Sequence, residues 1–136
     1  MTTTNSATLL VARIFLAILF IVSGLGILAA PSGFAGYMGA IGLPFPTLVA
    51  WVIIALKVLG GLAILVGFQT RYAAYAIAAF TIGSAFLGHM DFSDQMEMTA
   101  FMKNFAIAGG FLALSVAGPG AWSIDARRRE PALAHA

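Results

Sequence analysis

Residues 50–61 read AWVIIALKVLGG, an apolar stretch that carries a lysine, Lys57, close to its centre. The stretch lies within a longer apolar segment, residues 47–67. A helix needs about 20 such residues to cross the hydrocarbon core of a bilayer. At a rise of about 1.5 Å per residue, Lys57 then lies near the middle of that layer. The segment therefore predicts a membrane-spanning helix with a charged side chain at mid-depth.

The composition of the whole chain also indicates a membrane protein. Of 136 residues, 61% are hydrophobic and 9% are charged, whereas soluble domains are about half apolar and about a quarter charged. Three further apolar segments, at residues 8–29, 72–88 and 99–117, bring the expected spans to four. Open strands would leave backbone groups unpaired in lipid, so each span is predicted to be helical. The predicted fold class is all-α, a single integral membrane four-helix bundle over residues 1–136.

The residue inventory excludes several kinds of chemistry. The chain has no cysteine, so thiolate catalysis and Cys-ligated metal or iron–sulfur centres are excluded. His89 and His135 are far apart in the sequence and predict no metal site. The basic residues are too few and too scattered to form a nucleic-acid surface. No cofactor is expected to be ligated by the chain itself.

The segments outside the spans predict an orientation. Residues 30–46 are rich in glycine and proline, which indicates a loop with a short interfacial or re-entrant helix, and residues 119–136 form a basic tail. With four spans, one side of the membrane collects five basic residues: Arg13, Arg71, Arg127, Arg128 and Arg129. The positive-inside rule then places both termini in the cytoplasm.

Lys57 needs a partner, because a charged lysine at the centre of a bilayer costs about 2.5–3.5 kcal/mol on insertion scales. None of the five acids lies within a predicted span. Three arrangements are open. In the first, the lysine is a buried structural residue that reaches the acidic loop between the third and fourth spans or bonds a hydroxyl of Ser23, Thr81 or Ser84. Otherwise it contacts a ligand such as a quinone, or a carboxylate of a partner subunit.

A charge cluster is expected at the cytoplasmic ends of the helices. Arg13 lies one to two turns inside the first span, Arg71 ends the second, and Asp125 follows the fourth. An Arg–Asp clamp that ties these helix ends together is the expected structural arrangement.

A second polar cluster is expected on the opposite side, from residues near the ends of the third and fourth spans: His89, Asp91, Lys103 and Asn104. A histidine beside a carboxylate and an amide can relay protons or bind a quinone head group. The alternative is an ordinary wet interface in which Lys103 neutralises the acidic loop. The quinone hypothesis also predicts a cavity between helices, with Lys57, His89 or Trp51 in its lining. Ser84 is a further candidate for contact with the quinone.

Four runs of sequence carry a family resemblance. They are LLVARIFLAILFIVSG (9–24), GYMGAIGLPFP (36–46), VLGGLAILVGFQTR (58–71) and KNFAIAGGFLALSVAGPGAWSID (103–125). In order and spacing they resemble the DoxX family of small four-helix bacterial membrane proteins. The resemblance implies thiosulfate:quinone oxidoreduction, complexes that handle oxidative or thiol stress, or, through distant relatives, assembly chaperones.

The resemblance therefore implies a small membrane subunit of a redox or respiratory assembly that contacts quinone. Its alternative is a non-catalytic scaffold or assembly factor for a partner membrane protein. A homo-oligomer is a further candidate assembly.

Two positions depart from the family pattern. Family members commonly carry a lysine after the "SG" of the first helix and a glutamate in the middle of the second. Here Ile27 occupies the lysine position and Lys57 the glutamate position. A function that depends on that glutamate does not carry over to this chain. The matching positions that do carry over are Arg13, Arg71, Lys103, Asn104 and Asp125.

Overall fold

The structure, a computed structural model, describes residues 2–134 and is helical along almost all of that length. In chain order the helices are α1 (Thr3–Ala29), α2 (Pro31–Ala40), α3 (Pro46–Val66), α4 (Thr70–Gly88), α5 (Gln95–Ala117) and α6 (Ile124–Ala134). No strand occurs in this part of the chain. The all-α prediction is confirmed, and so is the short helix predicted between the first two spans, which is α2. His135 lies outside the described residues.

The four long helices form an antiparallel bundle. α1 packs chiefly on α3, α4 packs chiefly on α5, and contacts between α3 and α4 join the two pairs. The short α2 lies against α3. We call the end of the bundle with α2 and the α4–α5 connection the α2 end. The opposite end, with the α3–α4 turn and α6, is the α6 end.

Three helices are long and apolar enough to cross a membrane, namely α1, α3 and α5. The fourth long helix, α4, has 19 residues and is therefore about 28 Å long. It is less apolar because its first turns carry Arg71, Tyr72 and Tyr75. Because α4 packs against both α3 and α5, it completes the predicted four-helix bundle.

Polar side-chain caps explain why two helices begin earlier than predicted. α1 begins at Thr3 rather than residue 8, and α5 begins at Gln95 rather than residue 99. The Thr2 hydroxyl accepts a hydrogen bond from the Asn5 amide at 3.1 Å, and the Asp94 carboxylate accepts one from the Met96 amide at 2.9 Å. Such caps satisfy amides of the first turn. The helices therefore extend past the apolar segments into polar sequence.

Two glycines set the distance between α1 and α3. A Cβ added to Gly24 would lie 2.7 Å from Val58 Cγ2, and one added to Gly61 would lie 2.7 Å from Ile21 Cγ1. Both distances are too short for a side chain, so the two backbones approach closely, as small residues allow in membrane bundles. This contact brings Ser23, the neighbour of Gly24, to the face of α3 that carries Lys57.

Arg13 is the largest side chain buried completely in the bundle, with 1% of its surface exposed. Its guanidinium donates to the carbonyls of Ile64 at 3.0 Å and Leu65 at 2.7 Å, near the end of α3. It also donates to the carbonyls of Pro119 at 2.7 Å and Trp122 at 3.0 Å, in the segment after α5. Helix C-termini leave such carbonyls without partners of their own. Arg13 therefore joins three parts of the chain at the α6 end.

Asp125 bonds the start of α4 rather than Arg13. Its carboxylate accepts hydrogen bonds from the Gln69 amide at 2.8 Å and the Thr70 amide at 2.9 Å. Among the side chains that the structure describes no Arg–Asp ion pair is formed, so the expected Arg–Asp clamp is wrong. Arg13 and Asp125 each tie helix ends together through backbone groups instead. Arg71 is exposed on the first turn of α4 and bonds neither residue. Backbone dipoles at helix ends favour this arrangement, since anions stabilise N-termini and cations stabilise C-termini.

Burial alone would raise the pKa of Asp125, but the amides of Thr70 and Gln69 outweigh it, and the pKa lies below its ordinary value. A carboxyl group whose pKa is lowered by folding stabilises the fold above its unfolded pKa. That contribution is lost as the pH falls through the folded pKa.

We predict that Arg13→Lys lowers the free energy of unfolding by about 2–3 kcal/mol, because a lysine cannot reach four carbonyls in two directions. Unfolding in mixed detergent micelles measures the change. Arg128→Lys, at an exposed position of α6, is the matched control and should leave the stability unchanged. Equal stability of the two variants would contradict the role assigned to Arg13.

We predict that Asp125→Asn costs about 1 kcal/mol of stability at pH 7, the usual value of a helix cap. The difference between the variant and the unmodified protein should shrink as the pH falls below the ordinary pKa of 3.8, because the carboxyl group is protonated first in the unfolded chain and then, at lower pH, in the folded protein. Unfolding at a series of pH values measures it. A difference that stays constant down to pH 2.5 would show that the carboxylate charge does not act here.

Candidate functional site

A cavity of about 640 Å³ lies at the α2 end, between helices α1 to α5. Volumes between about 300 and 1,000 Å³ are typical of sites for small organic ligands. Most of the lining is apolar, from side chains such as Leu19, Phe34, Ile53 and Leu87. The polar and titratable members of the lining are Ser23, Tyr37, Lys57, Thr81, Ser84, His89, Lys103 and Asn104. The cavity therefore combines an apolar body with a few polar groups.

Lys57 lies on the inner part of this cavity, eleven residues and about 16 Å beyond the start of α3. Its Nζ donates a hydrogen bond to the Ser23 hydroxyl at 2.8 Å and lies 5.6 Å from the centroid of the Phe80 ring. Contact with an aromatic face stabilises a cation. Of the partners expected for Lys57 from the sequence, the structure therefore shows a hydroxyl group. The lysine faces the interior of the bundle rather than its outer surface.

The opposite wall is closed by hydrogen bonds between α4 and α5. The Asn104 amide donates to the Thr81 carbonyl and to the Ser84 hydroxyl, both at 3.1 Å. The Ser84 hydroxyl in turn donates to the Thr81 carbonyl at 2.9 Å. Both amide hydrogens of Asn104 are used in this way. Ser84 and Asn104 therefore line the cavity, but the Asn104 amide is used to join α5 to α4 and the Ser84 hydroxyl donates within α4.

The mouth of the cavity carries His89 and Lys103. His89 Nδ1 lies 3.2 Å from a carboxylate oxygen of Glu97, and each of these side chains is about one-third exposed (34%). Asp91 was expected in this cluster, but its carboxylate bonds the Ser93 hydroxyl in the α4–α5 connection and does not line the cavity. Glu97, in the first turn of α5, takes its place beside the histidine.

Trp51 is not in the lining, although the sequence placed it there as a candidate. It is 48% exposed on the outer surface of α3. The reason is helical spacing, since six residues separate it from Lys57 and an α-helix has 3.6 residues per turn. Val49 and Ile53 precede Lys57 by eight and four residues, lie on its face, and do line the cavity.

Sequence reasoning also missed the contribution of α2. Tyr37 lines the cavity, and a Cβ added to Gly88 would lie 3.2 Å from its hydroxyl oxygen. The absence of a side chain at Gly88 thus leaves room for the Tyr37 hydroxyl at the end of α4. Residues 36–46 carry no charge and no apolar periodicity of their own, so nothing in them signals this contact.

The charge in the lining has one sign. Lys57 and Lys103 line the cavity, together with His89, and no aspartate or glutamate does so among the residues that the structure describes. A group that enters the cavity therefore meets donors and positive charge rather than carboxylates.

The DoxX family model matches residues 8–90, which cover most of α1 and all of α2 to α4. The inner membrane protein YqjF of Escherichia coli (strain K12) is 48% identical over 116 residues, 85% of this chain and 88% of that protein. The inner membrane protein YphA of the same strain is 37% identical over 124 residues, 88% of this chain and 89% of that protein.

A third relative, of Bacillus subtilis (strain 168), has the name "Putative oxidoreductase CatD". It is 31% identical over 114 residues, 77% of this chain and 82% of that protein. No solved structure matches the chain. The family match over 83 of 136 residues, the inner-membrane relatives and the helical bundle agree with one another. This chain is a multi-pass inner membrane protein and belongs to the DoxX family.

Proposed function

We propose that this protein is a small membrane subunit of a redox assembly and that its cavity holds the head group of a quinone. The observation that carries the proposal is the cavity itself, with Lys57 as a hydrogen-bond donor on its inner part. The relative named as an oxidoreductase supports the same class of function. The chain has no cysteine, so electrons would reach a bound quinone from a partner protein.

The lining fits the chemistry of a quinone. A quinone ring is apolar on its faces and carries two carbonyl oxygens that accept hydrogen bonds. An ammonium group has three donors, and Lys57 uses one of them on Ser23. Phe34, Phe80 and Leu87 offer apolar surface for the ring. A bound quinone supplies two-electron chemistry, while the side chains of this protein bind its head group and keep water from it.

The orientation of the chain follows from the same basic residues that the sequence singled out. We infer that the α6 end faces the cytoplasm, because it carries Arg71, Arg127, Arg128 and Arg129. The cavity then opens toward the far side of the membrane. A quinone would enter it from the outer half of the bilayer.

We predict that quinone co-purifies with the protein in mild detergent and that Lys57→Met reduces the quinone bound per protein to about a tenth. Loss of one hydrogen bond from a charged donor has this magnitude. Extraction and chromatography of the purified protein measure the quinone. Trp51→Phe, on the outer surface of α3, is the control and should retain it.

Absence of quinone from the unmodified protein, with lipid and detergent alone in the cavity, would contradict the redox assignment. That outcome would favour the scaffold function instead. The scaffold reading expects Lys57→Leu to weaken co-purification of a partner membrane protein and to leave the isolated bundle intact.

Single introduced cysteines test the predicted orientation, because the chain has no cysteine of its own. Gln95→Cys lies at the α2 end and Ala121→Cys at the α6 end, and both native side chains are exposed. A membrane-impermeant maleimide should label Gln95→Cys in cells whose outer membrane is permeabilised, and Ala121→Cys only after lysis. The reverse pattern would overturn the orientation.

A further inference from the structure

Two lysines of the cavity have no carboxylate beside them among the side chains that the structure describes. Lys57 and Lys103 both line the cavity, and neither forms an ion pair with a side chain of residues 2–129. The partner of the Lys57 ammonium is the neutral hydroxyl of Ser23. A charge in a medium of low dielectric constant is costly unless an opposite charge accompanies it. The cavity is therefore short of negative charge.

The acids of the chain are engaged elsewhere. Asp91 bonds Ser93, Asp94 caps α5, Glu97 lies beside His89, and Asp125 bonds the start of α4. These are all the acids whose side chains the structure describes. None of these four acids therefore supplies a counter-charge to Lys57.

We propose that the cavity binds a single-chain amphiphile with an anionic head group, whose head oxygens accept hydrogen bonds from Lys57. The inner part of the cavity supplies the cation, and Lys103 adds positive charge nearer the mouth. Hydrogen bonds between charged partners are stronger than those to a neutral carbonyl. Positive charge on low-dielectric walls also attracts anions into a cleft.

The rest of the lining suits the chain of such a molecule. The cavity is bounded mainly by aliphatic and aromatic side chains, among them Leu19, Phe20, Ile53 and Ile107. Burial of acyl carbon against them is favourable at about 0.8 kcal/mol per methylene group. A small free anion would gain the contact with Lys57 but not this burial. The preferred ligand therefore carries both parts.

This ligand class goes beyond the quinone function and is independent of it. A quinone head is neutral, whereas the amphiphile carries the charge that the lining lacks. The two ligands would compete for the cavity, because both place head-group oxygens at Lys57.

The test measures binding of radiolabelled oleate to the purified protein in a non-ionic detergent at pH 8. We expect oleate to bind at least about ten-fold more tightly than oleyl alcohol, which has the same chain and a neutral head. Sodium acetate should fail to displace oleate, because it lacks the chain. A single-chain lysophospholipid with a phosphate head should displace it, and the ratio of the two affinities tells which head group the site prefers.

Variants show which positive charge binds the head group. Lys57→Met should bring oleate and oleyl alcohol to the same affinity, and Lys103→Gln should reduce the preference by a smaller factor. Arg128→Gln, at the α6 end, is the control for charge on the protein surface and should change nothing. Thermal unfolding establishes that each variant is folded.

Equal binding of oleate and oleyl alcohol to the unmodified protein would overturn the proposal without the use of any variant. A preference that survives Lys57→Met would overturn the assignment to this cavity. Oleate binding in a protein that contains no quinone would leave this inference standing and remove the quinone function.

Discussion

A bundle dissolved in lipid must satisfy its polar groups internally, because hydrocarbon offers them no water. Arg13 meets this constraint at the α6 end, where one guanidinium bonds four carbonyls. Two belong to the end of α3 and two to the segment after α5, so α1, α3 and the segment leading to α6 are held in one arrangement. Asp125 adds the start of α4 through its amides. The charge that would be hardest to place in a membrane is thus the group that closes this end of the protein.

The α2 end is built differently, and this difference positions the cavity. No buried arginine closes it. The short α2 lies against α3, and bulky apolar side chains such as Phe34 and Phe80 line the cavity. Asn104 ties α4 to α5, and Gly24 brings α1 against α3, so each helix pair is tight while the space between the pairs remains open. Lys57 projects into that space with a single hydroxyl partner. The closed end supports the fold, and the open end is where a ligand can act.

Hydropathy predicts the limits of a helix well where the helix and the apolar segment end at the same residue. The predicted limits of the second span, residues 47–67, differ from α3 by one residue at each end. Pro46 suits the first turn of a helix, and Gly67, with φ of 71°, ends it in a conformation that favours glycine. The starts of α1 and α5 were missed because their caps, Thr2 and Asp94, lie in polar sequence. Composition alone does not register a side-chain cap.

The site was less predictable, because a partner is a property of three-dimensional packing. Arg13 and Asp125 were paired by charge, but helix ends supplied backbone partners that no sequence pattern displays. Trp51 was chosen for its chemistry, although its position on α3 turns it away from Lys57.

Ile27 shows how the two departures from the family pattern belong together. It lies four residues, about one helical turn, beyond Ser23 and therefore on the same face of α1 as the hydrogen-bond partner of Lys57. The lysine and glutamate that the family resemblance implies at positions 27 and 57 would thus carry opposite charges on neighbouring helices. Here the two positions carry an isoleucine and a lysine, and their net charge rises from zero to one. Two opposite charges can neutralise one another, whereas the lone charge of Lys57 is the one that we propose a bound ligand neutralises.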